Sequence, residues 1–191
     1  MDDFLFSDEA LDEVNEVVQG SWKVIVVDDE PEVHAVTKLA LSDFEFQDKR
    51  LEFISAYSGE EAKQVIQEHP DAAIVLLDVV METDDAGLKV AKFIRETAKN
   101  NHIRIILRTG QPGQAPERQV IVNYDINDYK SKTELTAQKL FTVVMSSLRS
   151  YRDILSIEQS RQGLEKIIKA SRDIFSTHSL ESFIEGVMQQ L

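Results

Sequence analysis

The chain contains no cysteine, and only 4 of its 191 residues are proline and 7 are glycine. Without cysteine, the protein forms no disulfide bond and performs no thiolate chemistry. The scarcity of proline and glycine argues against long disordered linkers. No proline follows Pro116, so the usual interruption of a helix is missing from the C-terminal part of the chain.

Long apolar runs and N-terminal basic residues are also missing. No run reaches the roughly 18 apolar residues of a transmembrane helix. A secretory signal begins with basic residues, but residues 1–20 contain no lysine or arginine. We therefore expect a soluble cytoplasmic protein with no membrane partner. The formal net charge of -13 argues against direct binding to nucleic acid, because phosphate groups repel acidic proteins.

Short apolar segments alternate with amphipathic helical segments five times. The predicted strands are Lys23–Val27, Leu51–Ala56, Ala72–Leu77, Ile103–Leu107 and Tyr124–Tyr129. The predicted helices are Pro31 to Phe44, Ser58 to Pro70, Gly87 to Asn100, Glu117 to Val122, and one from Thr133. This alternation predicts an α/β fold in which helices cover both faces of a doubly wound, five-stranded parallel sheet.

Acidic residues follow two of the predicted strands. Asp78 ends a run of six apolar residues, and Asp28 and Asp29 end another apolar run. Because the carboxyl ends of parallel strands meet at one edge of the sheet, we expect these acids to lie together. Clustered carboxylates require a neutralising cation, and oxygen ligands suit Mg²⁺. The alternative is that they are ordinary solvated turn acids.

Two further predicted strands bring a hydroxyl and an ammonium group to this edge. Thr109 follows the fourth strand, and Lys130 and Lys132 follow the fifth. Strand alternation alone does not distinguish the two lysines, because it places both on the same side. A cation, an ammonium and a hydroxyl around one carboxylate form a site for a phosphoryl group, with Asp78 as the nucleophile that gives an acyl phosphate.

Four short motifs resemble, in order and spacing, the receiver domain of two-component response regulators. They are Val26–Glu30, Leu77–Met81, Thr109–Gly110 and Asp128–Lys132. The resemblance covers about residues 22–148 and implies a flavodoxin-like fold. It also implies that Mg²⁺ is held by Asp28, Asp29, Asp78 and the main-chain carbonyl of Val80.

The same resemblance assigns roles to the remaining motif residues. It implies that Asp78 is the phosphoacceptor, that Thr109 is the switch hydroxyl, and that Lys132, rather than Lys130, binds the phosphoryl group. Tyr129 is similar to the aromatic residue that changes rotamer on activation. The chain departs from the family at Thr133, where proline usually follows the lysine.

A second departure is Glu82, which stands where the family usually has proline. It opens the acidic loop Glu82–Ala86, which is slightly longer than usual and which we expect to affect metal affinity or dephosphorylation.

The last predicted helix is too long for the sheet alone. One apolar stripe runs from Leu140 to Phe175, and only Gly163 weakens it. Roughly forty helical residues would span about 60 Å, so the distal part should pack on a second copy or a following domain. We expect a break at Ser176–Ser179 before a last amphipathic segment. The expected domains are an acidic leader (1–21), a receiver (22–148), and a helical linker that begins a further domain (149–191).

The chain also resembles a subgroup in which the receiver precedes a sensory-like domain and a cyclic-di-GMP enzyme module, HD-GYP or GGDEF. This implies a switch that accepts a phosphoryl group from a histidine kinase and acts on a C-terminal output through the fifth helix, as a homodimer. The fragment itself would then be no enzyme beyond its own phosphotransfer. The alternative is a receiver-like dimerisation and docking module that works without phosphorylation. A Mg²⁺ phosphohydrolase is disfavoured, because Val80 stands where its second acid is expected.

The remaining polar and aromatic residues predict no separate site. Four histidines are dispersed along the chain, which argues against a zinc site and predicts positions on the surface or at helix ends: His34, His69, His102 and His178. Trp22 is expected to pack near the first strand.

Overall fold

The computed structural model describes residues 20–110, 122, 124–132 and 136–188, with backbone alone for 173–187. The strands are β1 (Trp22–Val27), β2 (Glu45–Phe46), β3 (Lys49–Ala56), β4 (Ile74–Asp78), β5 (Arg104–Thr109) and β6 (Asp128–Ser131). The helices are α1 (Pro31–Ala40), α2 (Gly59–Glu68), α3 (Ala86–Lys92), continued by a π-helical turn (Phe93–Thr97), and α4 (Ala137–Met188). The predictions for the leader, for the short helix before Val122 and for Thr133 lie outside the described residues.

The strands form one sheet in the order β2-β3-β1-β4-β5-β6. All pairs are parallel except β2 with β3, so the α/β, doubly wound architecture is confirmed. The sheet has six strands rather than five, because a hairpin adds β2 at the edge. Its turn residues, Gln47 and Asp48, both have positive φ angles of 55° and 58°, the geometry of a tight two-residue hairpin turn.

Three predicted boundaries were wrong. Helix α1 ends at Ala40 rather than near Phe44, since the chain continues in tight turns that place the Phe44 side chain in the core. The third helix widens into a π-helical turn at Phe93 and ends at Thr97. Strand β6 begins only at Asp128, because the Asn127 side chain and main-chain N–H bind the main chain of Ile105 ahead of the ladder.

Alternation along the strands builds two cores, one on each face of the sheet. On β1, Ile25 and Val27 face the core formed with α2 and α3, whereas Val24 and Val26 face the core formed with α1 and α4. The sheet is therefore covered on both faces, and its carboxyl edge stays open for a site.

The predicted start of α2 is confirmed: the Ser58 hydroxyl caps this helix by accepting the N–H of Glu61 at 3.2 Å.

Helix α4 continues through the predicted break at Ser176–Ser179. Its 52 residues correspond to roughly 78 Å at 1.5 Å per residue. Only its first turns pack on the sheet, through buried residues at helical spacing: Leu140, Val144, Leu148 and Tyr151. From Ile157 to Ile168 the large apolar side chains are exposed. In the part of the chain that the structure describes, no helix is long and apolar enough to cross a membrane.

Candidate functional site

Three aspartates meet at the carboxyl edge of the sheet and form what we call the carboxylate cluster: Asp28, Asp29 and Asp78. Strand register brings them together, because Val27 pairs with Leu77 and the next residue of each strand is an acid. Carboxylate oxygens of the three residues lie within 4.8 Å of one another. Asp28 and Asp78 are buried, whereas Asp29 is exposed. The cluster therefore has one side open to solvent.

Each carboxylate oxygen of Asp78 has a hydrogen-bond or ionic partner. Its Oδ1 accepts the main-chain N–H of Val79 at 2.8 Å, and its Oδ2 lies 2.9 Å from the Lys132 ammonium. Burial raises the pKa of the Asp78 carboxyl, and the Lys132 ammonium opposes that rise. A carboxylate in this position is stabilised chiefly by positive charge beside it.

Lys132 is the lysine that the fold brings to the carboxylate cluster. Besides Asp78, its ammonium contacts Asp28 at 3.2 Å and Glu30 at 3.4 Å. Burial alone would lower the pKa of Lys132, but the hydrogen bond and charge of Asp78 outweigh it and raise that pKa. Lys130 instead pairs with Asp128 at 3.0 Å. Geometry thus separates two lysines that strand alternation leaves equivalent.

The other two motif residues lie on β5 and β6 near the cluster. Thr109 is buried at the end of β5, and its carbonyl accepts the N–H of Lys132 at 2.7 Å. Tyr129 is buried in the core beside α3, rather than on the surface. Val80 follows in the loop after β4 and is partly buried against the same core.

A second cation, which the sequence analysis did not single out, lies beneath the cluster. Arg108 of β5 lies opposite Asp78 of β4 in the strand register, so the two side chains lie on the same face of the sheet. From there the Arg108 side chain reaches Asp28. Its Nη2 lies 3.3 Å from Asp28 Oδ2, and its Nη1 donates to Thr37 Oγ1 of α1 at 3.0 Å. Burial lowers the pKa of Arg108, opposed by the charges of Asp28 and Asp78, but a guanidinium stays protonated in proteins.

The backbone around the cluster is also held by side chains that were not predicted. His34 lies in the first turn of α1, at a helix end, which is one of the two predicted positions, but it is buried rather than on the surface. Its Nε2–H donates to the carbonyl of Asp28 at 2.8 Å, and its Nδ1 lies 3.1 Å from Ser55 Oγ. Because a carbonyl only accepts, this bond fixes the ring tautomer. His34 thereby holds the main chain at the first acid.

The loop after Asp78 is anchored on both sides. Glu82 accepts the N–H of Gly59 at 3.0 Å, so the acidic loop is tied to the first turn of α2. At Gly87 the backbone passes so close that a Cβ atom would lie 1.9 Å from the carbonyl oxygen of Asp78. Only glycine fits there.

Comparison with known proteins is consistent with this geometry. Residues 24–145 match the family described as response regulator receiver domain. The chain belongs to the response-regulator receiver family. Residues 144–191 match a second family, described as "Domain of unknown function (DUF3369)". The receiver domain is thus the larger of two family matches, and α4 runs from one into the other.

A curated relative and two solved structures illustrate what this receiver chain is similar to. The 3'3'-cGAMP-specific phosphodiesterase 2 of Vibrio cholerae is 49% identical over 193 residues, which cover 98% of this chain and 37% of that protein. The chain therefore spans just over a third of that relative. The receiver domain of an HD domain-containing protein from Pseudomonas fluorescens Pf-5 has a TM-score of 0.59 at 18% identity, covering 71% of this chain and 93% of that one.

The second structure is the receiver domain of a LuxO repressor protein from Vibrio parahaemolyticus. Its TM-score is 0.59 at 20% identity, and the match covers 72% of this chain and 98% of that one. At these identities the two structures establish the fold alone.

The donor set of the receiver's cluster suits a hard divalent cation. All its side-chain donors are carboxylate oxygens, three of which converge within 4.8 Å, and one side is open for water ligands, as Mg²⁺ prefers. Burial raises the pKa of Asp78 because it disfavours the charged carboxylate. A bound cation would favour the charged form and so oppose that rise.

Three contacts in the site escaped sequence reasoning, for different reasons. Arg108 could have been noticed from the sequence, since it is a charged residue that stands between an apolar run and Thr109. The contact of His34 with Ser55 and that of Glu82 with Gly59 each join residues that lie at least 21 positions apart in sequence. Spacing along the chain could not have indicated those two.

Proposed function

We propose that this chain is a phosphorylation-controlled switch in which Asp78 accepts a phosphoryl group from a histidine kinase. One observation carries the proposal: at the sheet edge, Asp78 contacts the ammonium of Lys132 and lies beside the carboxylates of Asp28 and Asp29. Within a two-component signalling protein, a receiver domain implies a kinase partner and a linked output. The proposed domains are a leader (1–21), the receiver (22–148), and a linker that begins a further domain (149–191).

In the proposed transfer, an oxygen of Asp78 attacks the phosphorus of a kinase phosphohistidine. The N–P bond breaks, its electron pair stays on the histidine nitrogen, and an acyl phosphate forms on Asp78. Lys132 already contacts the attacking carboxylate and can follow one of the new anionic oxygens. Thr109, at the end of the neighbouring strand, would supply a hydroxyl to another.

The proposed metal ligands are Asp28, Asp29, Asp78 and the main-chain carbonyl of Val80. A bound Mg²⁺ would supply positive charge that offsets the charge of the phosphoryl group and the acids. The proximity of the three carboxylates supports this assignment.

Helix α4 is the proposed route from the site to the output. Its first turns pack against the sheet strands that carry the site, and it continues far beyond them. A rotamer change of Tyr129 that follows movement of Thr109 would alter the edge strand β6, whose Lys130 lies beside the first turns of α4, and so bias one of two arrangements. We further propose that two copies pair through the exposed apolar residues of α4, and that the chain works in the cytoplasm with its kinase.

The whole protein is proposed to act in cyclic-dinucleotide signalling. The Vibrio cholerae relative, a 3'3'-cGAMP-specific phosphodiesterase, supports a cyclic-dinucleotide phosphodiesterase over a cyclase as the output. The described fragment itself would carry no enzyme activity beyond phosphotransfer and dephosphorylation at Asp78.

The test is to incubate the chain with Mg²⁺ and a small phosphodonor such as acetyl phosphate, and to measure the intact mass. Wild type should gain one phosphoryl group, Asp78→Asn none, and the matched control Asp84→Asn, an exposed acid of the same loop, should gain it normally. Equal labelling of Asp78→Asn would refute the assignment of Asp78. Wild type that takes up no phosphoryl group, with or without a purified kinase, would favour the phosphorylation-independent docking module.

Pairing through α4 is tested separately by sedimentation of the chain. Ile167→Asp should lower the dimer fraction, because it places a carboxylate in the proposed apolar contact. Lys169→Asp, on the same exposed helix, should leave that fraction unchanged. A wild-type chain that stays monomeric at high concentration, with and without phosphodonor, contradicts the dimer.

A further inference from the structure

Arg108 is a charged residue of the site to which the family motifs assign no role. Its side chain is only 4% exposed. One guanidinium nitrogen, Nη2, lies 3.3 Å from Asp28, and another, Nη1, donates to Thr37 at 3.0 Å. Its Nε is buried without a hydrogen-bond partner among the described residues. A buried guanidinium with an unsatisfied nitrogen costs free energy, so its presence at the metal acids calls for an explanation.

The two cations at Asp28 differ in their freedom to move. Lys132 has a side chain that is 21% exposed and has three acidic partners, so its ammonium can shift among them. Arg108 extends under the cluster from β5, is enclosed by the core, and is anchored on α1 by Thr37. Its positive charge is therefore a permanent part of the site.

A permanent charge beside Asp28 has two consequences. The charge-assisted hydrogen bond restrains the Asp28 carboxylate in one orientation. It also places a positive charge where any divalent cation that shares Asp28 would be repelled, and in a buried site such repulsion is weakly screened. The first effect pre-organises the acid, and the second opposes metal binding.

We propose that Arg108 is a positioning residue that orients Asp28 and sets the metal affinity of the carboxylate cluster below what its three acids alone would give. This inference rests on the proposed function, since it assigns the cluster to Mg²⁺. Arg108 also lines a cavity of about 270 Å³ between α1 and the start of α4, together with Thr37 and Leu140. Arg108 therefore contacts both Asp28 and the region where α1 meets α4.

The test is a calorimetric Mg²⁺ titration of the full 191-residue chain without phosphodonor. Arg108→Met removes the charge and keeps most of the volume, so the Kd for Mg²⁺ should fall at least roughly tenfold, as loss of a nearby like charge predicts. Arg108→Lys keeps the charge and should stay within about threefold of wild type, since rescue depends on the charge. Arg108→Gln, which can still bond Thr37, replaces the methionine variant if that one does not fold.

Arg104→Met is the matched control. Arg104 is the other buried arginine of β5, but it binds the main-chain carbonyls of Asn101 and His102 at the opposite end of the strand. Its loss changes the net charge equally and should leave the Mg²⁺ Kd unchanged.

The outcomes separate the two proposals. If wild type binds Mg²⁺ and neutral Arg108 variants bind it equally or more weakly, the role of Arg108 is overturned while the proposed function stands. Equal tightening by Arg104→Met would overturn it too, because the effect would then be one of net charge. If wild type shows no Mg²⁺ binding, the proposed function itself fails, and this inference with it.

Discussion

Two regions of the molecule depart from the usual distribution of residues, in opposite directions. The carboxylate cluster and its cations are charged and buried: Asp28 is 0% exposed and Arg108 4%. The distal segment of α4, residues 156–172, carries apolar side chains in solvent, with Ile157 69% and Ile167 63% exposed. Buried charges require partners, and a row of exposed apolar residues indicates a binding surface.

The two regions differ in whether their unusual side chains have partners within the chain. The buried charges are paired within the chain, since Lys132 and Arg108 both contact Asp28. Among the described residues, no side chain covers Ile157 or Ile167. The charges of the site are thus compensated within the fold, whereas the described apolar side chains of the distal segment remain exposed. Variants in each region should show this contrast in the free energy of unfolding.

The largest effect is expected for Asp28→Ala. It leaves Arg108 buried without its carboxylate, and loss of one partner of a buried ion pair costs about 3–5 kcal/mol. Asp29→Ala, at the exposed neighbour, should cost less than about 1 kcal/mol. Urea denaturation of both variants measures the difference. Equal small losses would show that the buried charges do not stabilise each other.

Leu148→Ala, matched with Leu164→Ala, compares the two parts of α4 directly. Leu148 is 0% exposed and Leu164 is 60% exposed. The first change should cost about 2–5 kcal/mol through the cavity it leaves, and the second no more than about 0.5 kcal/mol. These values apply to urea denaturation at a concentration where the chain is monomeric. A large loss at Leu164 would mean that the distal segment is already packed within one chain.

Of the three main variants, Asp78→Asn is expected to have the smallest effect, and that effect depends on pH. Burial raises the pKa of Asp78 in the folded chain above its ordinary value of 3.8. The folded state therefore holds this proton more tightly than the unfolded chain does, and wild type loses stability as pH rises from about 3.8 through the folded pKa. Without Mg²⁺, Asp78→Asn should be more stable than wild type at neutral pH, with the difference vanishing in acid.

A control for this pH dependence is Asp85→Asn. Hydrogen bonds from Lys89 and Thr83 lower the pKa of Asp85. Wild type should then lose this contribution as pH falls through the lowered pKa, and the variant should be the less stable one above it. Thermal melts across the acid range measure both signs, and identical pH profiles for the two variants would contradict the assignment.

The comparison also shows which features could be predicted. Strands β1, β4 and β5 were predictable because each contains a short apolar run, and the acids because they stand at the ends of two such runs. The edge strand β2 was missed, since its hairpin turns on Gln47 and Asp48, with no glycine to signal it. The packed and exposed parts of α4 share one apolar pattern, so periodicity predicted a single stripe but not where the sheet stops covering it.

By itself, the sequence determined the order of strands and helices, the edge at which Asp28, Asp29 and Asp78 meet, and the motifs of the receiver family. These follow from local periodicity and from the parallel sheet that it implies. Only the tertiary structure decided which lysine contacts Asp78, that Arg108 contacts Asp28, that His34 contacts Ser55, and where α4 leaves the sheet. Those depend on side chains that meet across distant segments, and local pattern carries no information about such contacts.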